Sequence, residues 1–343
     1  MTISPARANK ETNDVLVPLI GKRLKIGGHE YKLRDAIATG PFSSVFLVEE
    51  DGVPYAMKVE AQNGCLRPVL KLDHAVLTAL GSQTGFPSLA DSGRTENFKY
   101  IIMQLVGPDL STLLELAPNN RFSDSTIYKI ALQTLDRLRV LHDAGWLNRD
   151  VKAQNFAVGL GDESNIVYML DFGLTRRFLE KDGRRHLLRP WGPSVGTFPY
   201  APLTSLGFCD QSPSDDLEGW LYMIVHLLKG GLPWHTPTRS LSLAKVREWK
   251  MYCRKAGGKI RLFEGVPEGW MEVFDAIIKT SKQERPDYKR ISNMVISIAF
   301  SERINLRAPF DWQVDPKLRS LVRLVPLSDN PALTPRAQMV SPI

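Results

Sequence analysis

Cysteine is scarce in this chain, and its few cysteines are not grouped. Among 343 residues only Cys65, Cys209 and Cys253 occur, and no two of them have the C-x-x-C spacing of a zinc or redox motif. Three widely separated cysteines are an odd number, which does not support a disulfide framework. The sequence therefore predicts reduced thiols and no structural zinc site.

Long apolar runs are also missing. No stretch approaches the roughly 18 apolar residues that cross a bilayer, and the polar residues 1–10 do not resemble a secretory signal. Hydrophobic residues make up 43% and charged residues 24% of the chain, which is enough to build a core and excludes global disorder. We therefore expect a globular protein of the cytoplasm or nucleus that is not bound to a membrane. The length suits two domains or one large two-lobed domain.

Positive charge is concentrated in two segments. The whole chain carries 44 basic and 37 acidic residues, a net +7. Residues 176–189 hold six Lys or Arg and two acids, and residues 239–261 hold eight and one. These segments have net charges of +4 and +7, so the rest of the chain is slightly negative. They are either two solvated faces or the binding surface for an anionic partner.

The pattern of the chain changes near Gly107. Before it, short runs rich in β-forming residues flank an Asp51-Gly52 turn, which predicts a hairpin, and apolar positions over 69–80 predict a helix. A further strand is predicted at 100–103. After Gly107 the predicted elements are mainly helices, at 124–144, 215–229, 242–252, 268–280 and 288–299. Residues 1–21 are predicted to form a flexible arm and 313–343 a C-terminal tail.

Four polar residues have the spacing that phosphoryl transfer requires. Asp150, Lys152 and Asn155 lie within six residues, and Asp171 begins an Asp-Phe-Gly sequence 21 residues after Asp150. Asp150 is suited to orient an attacking hydroxyl and accept its proton, and Lys152 to neutralise phosphate charge. Asn155 and Asp171 supply the hard oxygen ligands that Mg²⁺ prefers. Any one of these residues alone would be an ordinary loop residue, but the joint spacing indicates a catalytic site.

Lys58 is predicted to lie within an apolar strand, where an unpaired ammonium group would be costly. Nucleotide phosphates and a carboxylate on the following helix, Asp73, would compensate its charge. The alternative is a lysine that extends from an edge strand into solvent. Upstream, Gly40 lies in a segment that corresponds to a phosphate-binding glycine loop, although only one glycine is present there.

These residues together resemble the signature motifs of eukaryotic protein kinases. The chain is further similar to the casein kinase 1 family, and within it to the tau-tubulin kinase-like branch, from about Lys25 to Trp312. The most specific motifs are at 103–110, 155–159, 168–174, 215–220, 232–234, 285–288 and 309–312.

The resemblance implies an α+β, two-lobed protein kinase fold over 22–312. It implies a mainly antiparallel N-lobe with one helix at 22–103, a hinge at 104–107 and a mainly helical C-lobe at 108–312. ATP would lie between the lobes, Mg²⁺ would bind Asn155 and Asp171, and Asp216 would anchor the catalytic loop. The catalytic residues would be Asp150, Lys152 and Asn155. The implied nucleotide-binding residues are Ala38, Gly40, Val45, Lys58, Asp73, Met103 as gatekeeper, Gln104 and Val106.

Several positions depart from the family pattern. Ala38 and Ser43 replace glycines, whose lack of a Cβ permits close approach to phosphate or a positive φ. Asp73 replaces a glutamate, so its pairing with Lys58 is expected to need an inward shift of the helix or a bridging water. Asn148 replaces a histidine, and we expect this change to tune activity. Pro199 replaces a basic residue that helps relatives hold an acidic or phosphorylated substrate residue.

The sequence therefore predicts a monomeric serine/threonine kinase that uses ATP and Mg²⁺ on protein substrates with acidic or phosphorylated sequences. Candidates for recognising the acidic residues are Arg184, Arg185, Lys245, Arg247 and Lys250. A pseudokinase that acts as a binding scaffold is the alternative, because the departures fall around the nucleotide-binding positions. Nucleic-acid binding is disfavoured because the basic segments lack interleaved stacking motifs.

Overall fold

A computed structural model describes residues 13–63, 68–180, 182–189, 191–236 and 239–323 of the chain. The described residues form two compact units. The first contains the described residues up to Gly107 together with Leu170–Gly173 and Arg323. The second contains the described residues of Pro108–Met169 and Leu174–Val322.

The first unit is built on one antiparallel sheet of six strands. The helix α1 (Val69–Leu80) accompanies the sheet and coincides with the predicted segment. The strands are β1 (Arg23–Ile26), β2 (His29–Thr39), β3 (Ser44–Glu50), β4 (Val53–Ala61), β5 (Leu89–Arg94) and β6 (Phe98–Gln104). Their order in the sheet is β1-β2-β3-β4-β6-β5.

The hairpin predicted at Asp51-Gly52 joins β3 to β4. Glu50 pairs with Val53, so the turn has two residues, and their φ angles are 49° and 81°. Positive φ at both central positions is the geometry of a type I′ turn, which matches the right-handed twist of the flanking strands. The local sequence therefore sets the register that places Lys58 in the middle of β4.

The core of the first unit extends to the N-terminal residues that the sequence predicted as a flexible arm. Residues 13–16 are helical, Val17–Leu19 form a 3-10 helix, and Leu16 is completely buried. The apolar side chain of Leu16 packs into the hydrophobic cluster on the sheet and is buried for that reason. The described part of the predicted arm, 13–21, is thus packed, and residues 1–12 lie outside the described residues. The remaining members of the cluster are Ile26, Tyr31, Leu33, Phe46, Val48, Met57, Val59, Phe98, Tyr100 and Ile102.

The second unit is mainly helical, as predicted. Its helices are α2 (Leu110–Leu116), α3 (Asp124–Asp143), α4 (Leu203–Leu206), α5 (Pro213–Lys229), α6 (Leu243–Tyr252), α7 (Ala256–Phe263), α8 (Gly269–Ile278), α9 (Tyr288–Ser301), α10 (Asp311–Val314) and α11 (Pro316–Val322). Short strands pair as β7 (Trp146–Leu147) with β10 (Arg176–Arg177), β8 (Phe156–Val158) with β9 (Val167–Met169), and β11 (His235–Thr236) with β12 (Arg239–Ser240). Single 3-10 turns lie at Pro118–Asn120, Ala153–Asn155 and Gly161–Glu163.

Helix α5 is the centre of the second unit, and it packs against α3 and α8. It begins with a capping box, in which the backbone N–H of Ser212 donates to the Asp215 carboxylate at 2.7 Å. It ends at Gly230, whose φ of 75° is the left-handed conformation common after helix C-termini. Most of its side chains are buried, and this fixes the position of Asp216 in its first turn.

Part of the predicted C-terminal tail is folded. Leu318 and Val322 of α11 are buried, because these apolar side chains lie on one face of the helix. Residues 324–343 lie outside the described residues, as does Cys65.

Cys209 and Cys253 are free thiols, as expected. None of the helices in the described part of the chain is both long and apolar enough to cross a membrane.

Candidate active site

In the first unit, Lys58 lies in β4, which pairs with β3 on one side and β6 on the other. It is therefore not an edge-strand lysine. Its Nζ lies 2.8 Å from Oδ2 of Asp73 and 3.1 Å from Oδ1 of Asp171. Burial opposes the charge on Lys58, but the carboxylates of Asp171 and Asp73 outweigh this effect and raise its pKa. Lys58 is thus held as an ammonium group between two carboxylates.

Asp73 reaches Lys58 directly. We expected its shorter side chain to need a helix shift or a bridging water, but the 2.8 Å contact requires no intermediary. Its other oxygen, Oδ1, accepts the backbone N–H of Phe172 at 2.8 Å. One buried carboxylate therefore fixes both Lys58 and the Asp-Phe-Gly sequence.

Asp171 adopts a positive φ of 55°, an uncommon conformation for a residue other than glycine. Its Oδ1 accepts the backbone N–H of Gly173 at 3.2 Å, which stabilises this turn. Gly173 packs closely against α1, since a Cβ there would lie 3.0 Å from Cβ of Val69. Such strained conformations are concentrated at functional sites.

The predicted phosphate loop is the turn between β2 and β3. The N–H of Gly40 donates to the carbonyl of Ser43 at 2.9 Å, and Ala38 pairs with Val45 across the turn. Neither Ala38 nor Ser43 is among the described residues with positive φ, so their Cβ atoms do not strain the backbone. What these two substitutions can still affect is the space that is available to a bound phosphate.

Two of the predicted nucleotide-binding residues, Met103 and Gln104, lie at the end of β6. Met103 pairs with Ala56 of β4 and Leu89 of β5, and Gln104 pairs with Tyr55. The N–H of Gln104 donates to the carbonyl of Ser88 at 2.9 Å. Val106 follows in an irregular segment and is partly buried, as are Met103 and Gln104.

In the second unit, Asp150, Lys152 and Thr197 contact one another. Nζ of Lys152 lies 2.8 Å from Oδ2 of Asp150 and donates to the Thr197 hydroxyl at 2.9 Å. That hydroxyl donates to Oδ1 of Asp150 at 2.7 Å. The carboxylate is therefore positioned to accept a hydroxyl hydrogen and lies beside a cation. Thr197 was not among the predicted site residues, because it lies 47 residues from Asp150 in the sequence.

Asn155 is also directed at Asp150. Its Nδ2 donates to the backbone carbonyl of Asp150 at 2.8 Å and to Oδ2 at 3.1 Å. Because the amide nitrogen is used in this way, the amide oxygen is the atom that would ligate a cation. The three predicted catalytic residues are thus brought together.

Asp216 anchors the backbone before Asp150, as the resemblance implied. Its two carboxylate oxygens accept the N–H groups of Asn148 and Arg149, each at 2.7 Å. His142 contacts Oδ2 of Asp216 at 2.8 Å. Arg149 has a φ of 67°, and its Nε donates to the carbonyl of Leu174 at 2.8 Å. These bonds hold a strained loop in one conformation.

Asn148, which replaces a histidine, has a local role of its own. Its Oδ1 accepts the backbone N–H of Asp150 at 2.9 Å, a bond of the Asx-turn type. The side chain is buried beside Met169, whose sulfur is 3.6 Å from Nδ2. Asn148 thus fixes the backbone of the predicted catalytic base.

One expectation about the basic segments is wrong. Lys250 was a candidate for recognising acidic substrates, but its side chain is completely buried. Its ammonium group instead donates to the carbonyls of Pro199 and Ala201. Arg185 is also engaged, since it stacks on Phe178 and donates to the carbonyl of Lys282. The other candidates, Arg184, Lys245 and Arg247, are exposed, although Nε of Arg184 donates to the Asp182 carboxylate at 2.6 Å.

The first basic segment is partly neutralised by Asp210. This buried carboxylate is bonded to Arg176, and it lies 2.9 Å from Nη2 of Arg189 and 2.8 Å from the Arg189 backbone nitrogen. Burial opposes its ionisation, but the bonds from Arg189 and Arg176 outweigh burial and lower the pKa of Asp210 to about 2. Asp210 therefore ties residues 176 and 189 together, a role that the sequence did not indicate.

Comparison with known proteins supports the same chemistry. The family model for the protein kinase domain matches residues 31–295, which include both clusters described above. The serine/threonine-protein kinase spe-6 of Caenorhabditis elegans is 41% identical over 293 residues, which cover 85% of this chain and 77% of that protein.

Proposed function

The chain belongs to the protein kinase family and is a serine/threonine kinase, and we propose that it uses ATP with Mg²⁺ and favours acidic or phosphorylated protein sequences. We also propose that it falls in the casein kinase 1 family, in the tau-tubulin kinase-like branch. The motifs at 103–110 and 215–220 support this placement.

The contact of Asp150 with the Thr197 hydroxyl carries the proposal of an active enzyme over a pseudokinase. A hydroxyl already donates to Asp150 at 2.7 Å, so this carboxylate is able to orient a serine or threonine hydroxyl. During transfer, the substrate oxygen would bond to the γ-phosphorus, the bond to the bridging oxygen of ADP would break, and Asp150 would take the hydroxyl proton. Lys152, 2.8 Å from Asp150, would offset the charge on the transferred group.

The oxygen atoms of Asn155 and Asp171 suit Mg²⁺. Asp171 has a carboxylate that is 52% exposed, and Asn155 has an amide oxygen whose orientation is set by Asp150. Within the described residues no group of three His, Cys, Asp or Glu side chains is arranged to hold a metal. Proteins commonly hold Mg²⁺ through one or two side chains together with substrate phosphates. When bound, Mg²⁺ would neutralise phosphate charge.

The proposed preference for acidic substrates rests on exposed charge in the unit that carries Asp150. Arg184, Lys245 and Arg247 are exposed there, while Pro199 supplies no charge. Dispersed surface cations attract anions through their summed field rather than through one fixed contact. We therefore propose that acidic residues are recognised diffusely.

The decisive experiment measures transfer of labelled γ-phosphate to casein and to an acidic serine peptide. The variants are Asp150→Asn, Asp171→Asn and, as a matched control, Asp162→Asn, which changes an exposed aspartate. Asp150→Asn should lower kcat by about 100-fold or more because the proton acceptor is lost, and the control should match wild type. Wild-type protein that binds Mg-ATP but transfers no more phosphate than Asp171→Asn would instead establish a pseudokinase.

A further inference from the structure

Lys250 lies on α6 and is completely buried, an unusual environment for a lysine. Among the described residues, its partners are carbonyl oxygens and aromatic rings. Nζ donates to the carbonyls of Pro199, at 3.0 Å, and of Ala201. It also lies 4.6 Å from the ring centre of Tyr222 and 5.1 Å from that of Trp234. Two of the three N–H groups of the ammonium are therefore used by backbone carbonyls, and the aromatic rings lie beside the charge.

A lysine in this position is costly to the fold. Burial lowers the pKa of Lys250 to about 7, although the Glu218 carboxylate opposes this shift. An apolar side chain of similar volume would avoid the desolvation of an ammonium group. A costly buried polar group with specific partners indicates a role beyond packing.

The two carbonyls that Lys250 holds belong to the turn that begins at Thr197. The N–H groups of Tyr200 and Ala201 both donate to the carbonyl of Thr197, at 3.0 and 2.9 Å. Trp234 adds a second donor to the Pro199 carbonyl, at 2.8 Å. The turn is therefore bonded internally at one end and to Lys250 at the other.

The same turn carries the hydroxyl that contacts the catalytic pair. Thr197 bonds to Asp150 and Lys152 through its side chain, while its backbone carbonyl closes the turn. On the other side, Gly196 has a φ of 109°, and a Cβ there would lie 2.7 Å from the Arg149 carbonyl. The turn thus fits closely against the loop that holds Asp150.

We propose that Lys250 is a positioning residue for phosphoryl transfer, which fixes the 197–201 turn and through Thr197 the geometry of Asp150 and Lys152. This inference rests on the proposed kinase activity. A reacting group that is misplaced by 1 Å loses about 100-fold in rate, so the bonds to two carbonyls have a large effect on kcat. Binding of ATP should depend little on them, because Lys58, Asp73 and Asp171 belong to the other unit.

The test is a double-mutant cycle on the full chain with a neutral serine peptide. Lys250→Met removes the donors and keeps an unbranched side chain, Thr197→Val removes the hydroxyl, and the double variant combines them. We expect Lys250→Met to lower kcat by about 10- to 100-fold, with the KM for Mg-ATP unchanged. In the double variant the loss should be close to that of Thr197→Val alone, because both changes disrupt the same contact. Lys289→Met, a change of an exposed lysine on α9, is the control.

Three results would overturn the inference. The first is wild-type kcat in Lys250→Met, and the second is additive losses in the cycle, which would place Lys250 outside the path to Thr197. If Lys250→Met does not fold, as judged by thermal unfolding, Lys250→Gln replaces it in the cycle. The third result is that neither variant folds, which would show that Lys250 is a purely structural residue. Wild-type protein that transfers no more phosphate than Asp150→Asn would refute the kinase proposal itself. That result differs from the first one above, in which wild type is active and Lys250→Met is equally active.

Discussion

The ammonium of Lys58 and the carboxylate of Asp73 form a direct, buried ion pair at 2.8 Å. Asp73 simultaneously binds the backbone of Phe172, so its length suits two partners at once. The shorter aspartate therefore reaches the lysine directly at a position where protein kinases typically have a glutamate.

The first prediction concerns the length of this carboxylate. Asp73→Ala should destabilise the protein by about 3 kcal/mol, because it weakens the compensation of a buried ammonium, and should lower kcat/KM for ATP. Asp73→Glu should also lower activity, since an added methylene in a closely packed site costs about 1–3 kcal/mol. Urea unfolding and steady-state kinetics measure the two effects.

Glu96→Ala, which changes an exposed residue between β5 and β6, should leave both quantities at wild-type values. A more active Asp73→Glu would show that the pair is not optimal at this length. Equal activity of Asp73→Ala and wild type would remove Asp73 from the site.

The second prediction concerns the hydroxyl of Thr197. Thr197→Ser keeps this group and should retain most activity, whereas Thr197→Val, of nearly equal volume, should lower kcat by about 10- to 100-fold. The reason is that Asp150 and Lys152 would lose the hydroxyl that lies 2.7 Å from one and 2.9 Å from the other. Kinetics on a neutral peptide at matched thermal stability provide the measurement. Equal losses in both variants would point to the shape of the turn and not to its hydroxyl.

Local sequence was sufficient for much of the fold. The Asp51-Gly52 turn and the helix Val69–Leu80 were predictable because turn chemistry and apolar periodicity operate between near neighbours. The helix Ala256–Phe263 was not, because Gly257 and Gly258 lower helix propensity and tertiary packing overrides it. The burial of Leu16 and Leu318 likewise depends on distant partners.

The candidate site shows the same division. Asp150, Lys152 and Asn155 lie in one short stretch, so their spacing alone indicated a common role. Thr197 contacts Asp150 across 47 residues, and Lys250 contacts Ala201 across 49. Such contacts are set by packing, and a count of charges treated Lys250 as one more surface cation. Because Lys250 is buried, it is not a surface cation.

The third prediction concerns acid stability and Asp210. Because its pKa is lowered to about 2 in the folded protein, its stabilisation is complete above the unfolded value near 4 and is lost as pH falls towards 2. A shift of this size corresponds to about 2 kcal/mol. The free energy of unfolding of wild type should therefore exceed that of Asp210→Asn at pH 6, and this difference should shrink between pH 4 and pH 2. Urea titrations at several pH values measure it, and a difference that stays constant over this range would contradict the assignment.

The last prediction is a dispersed preference for acidic substrates. Lys250 is buried, so the test reverses charge at Arg184, Lys245 and Arg247, which are exposed. Surface ion pairs contribute at most about 1 kcal/mol each, so we expect the triple variant to reduce the advantage of acidic over neutral peptides severalfold and to spare activity on neutral ones. The advantage should also shrink as salt is raised, because the Debye length is about 8 Å at physiological ionic strength.

Reversing charge at Lys279, Lys289 and Lys317, which are exposed elsewhere in the same unit, controls for net charge. Equal effects of the two triple variants would mean that the overall charge attracts acidic peptides, and an unchanged peptide profile would refute recognition by these residues.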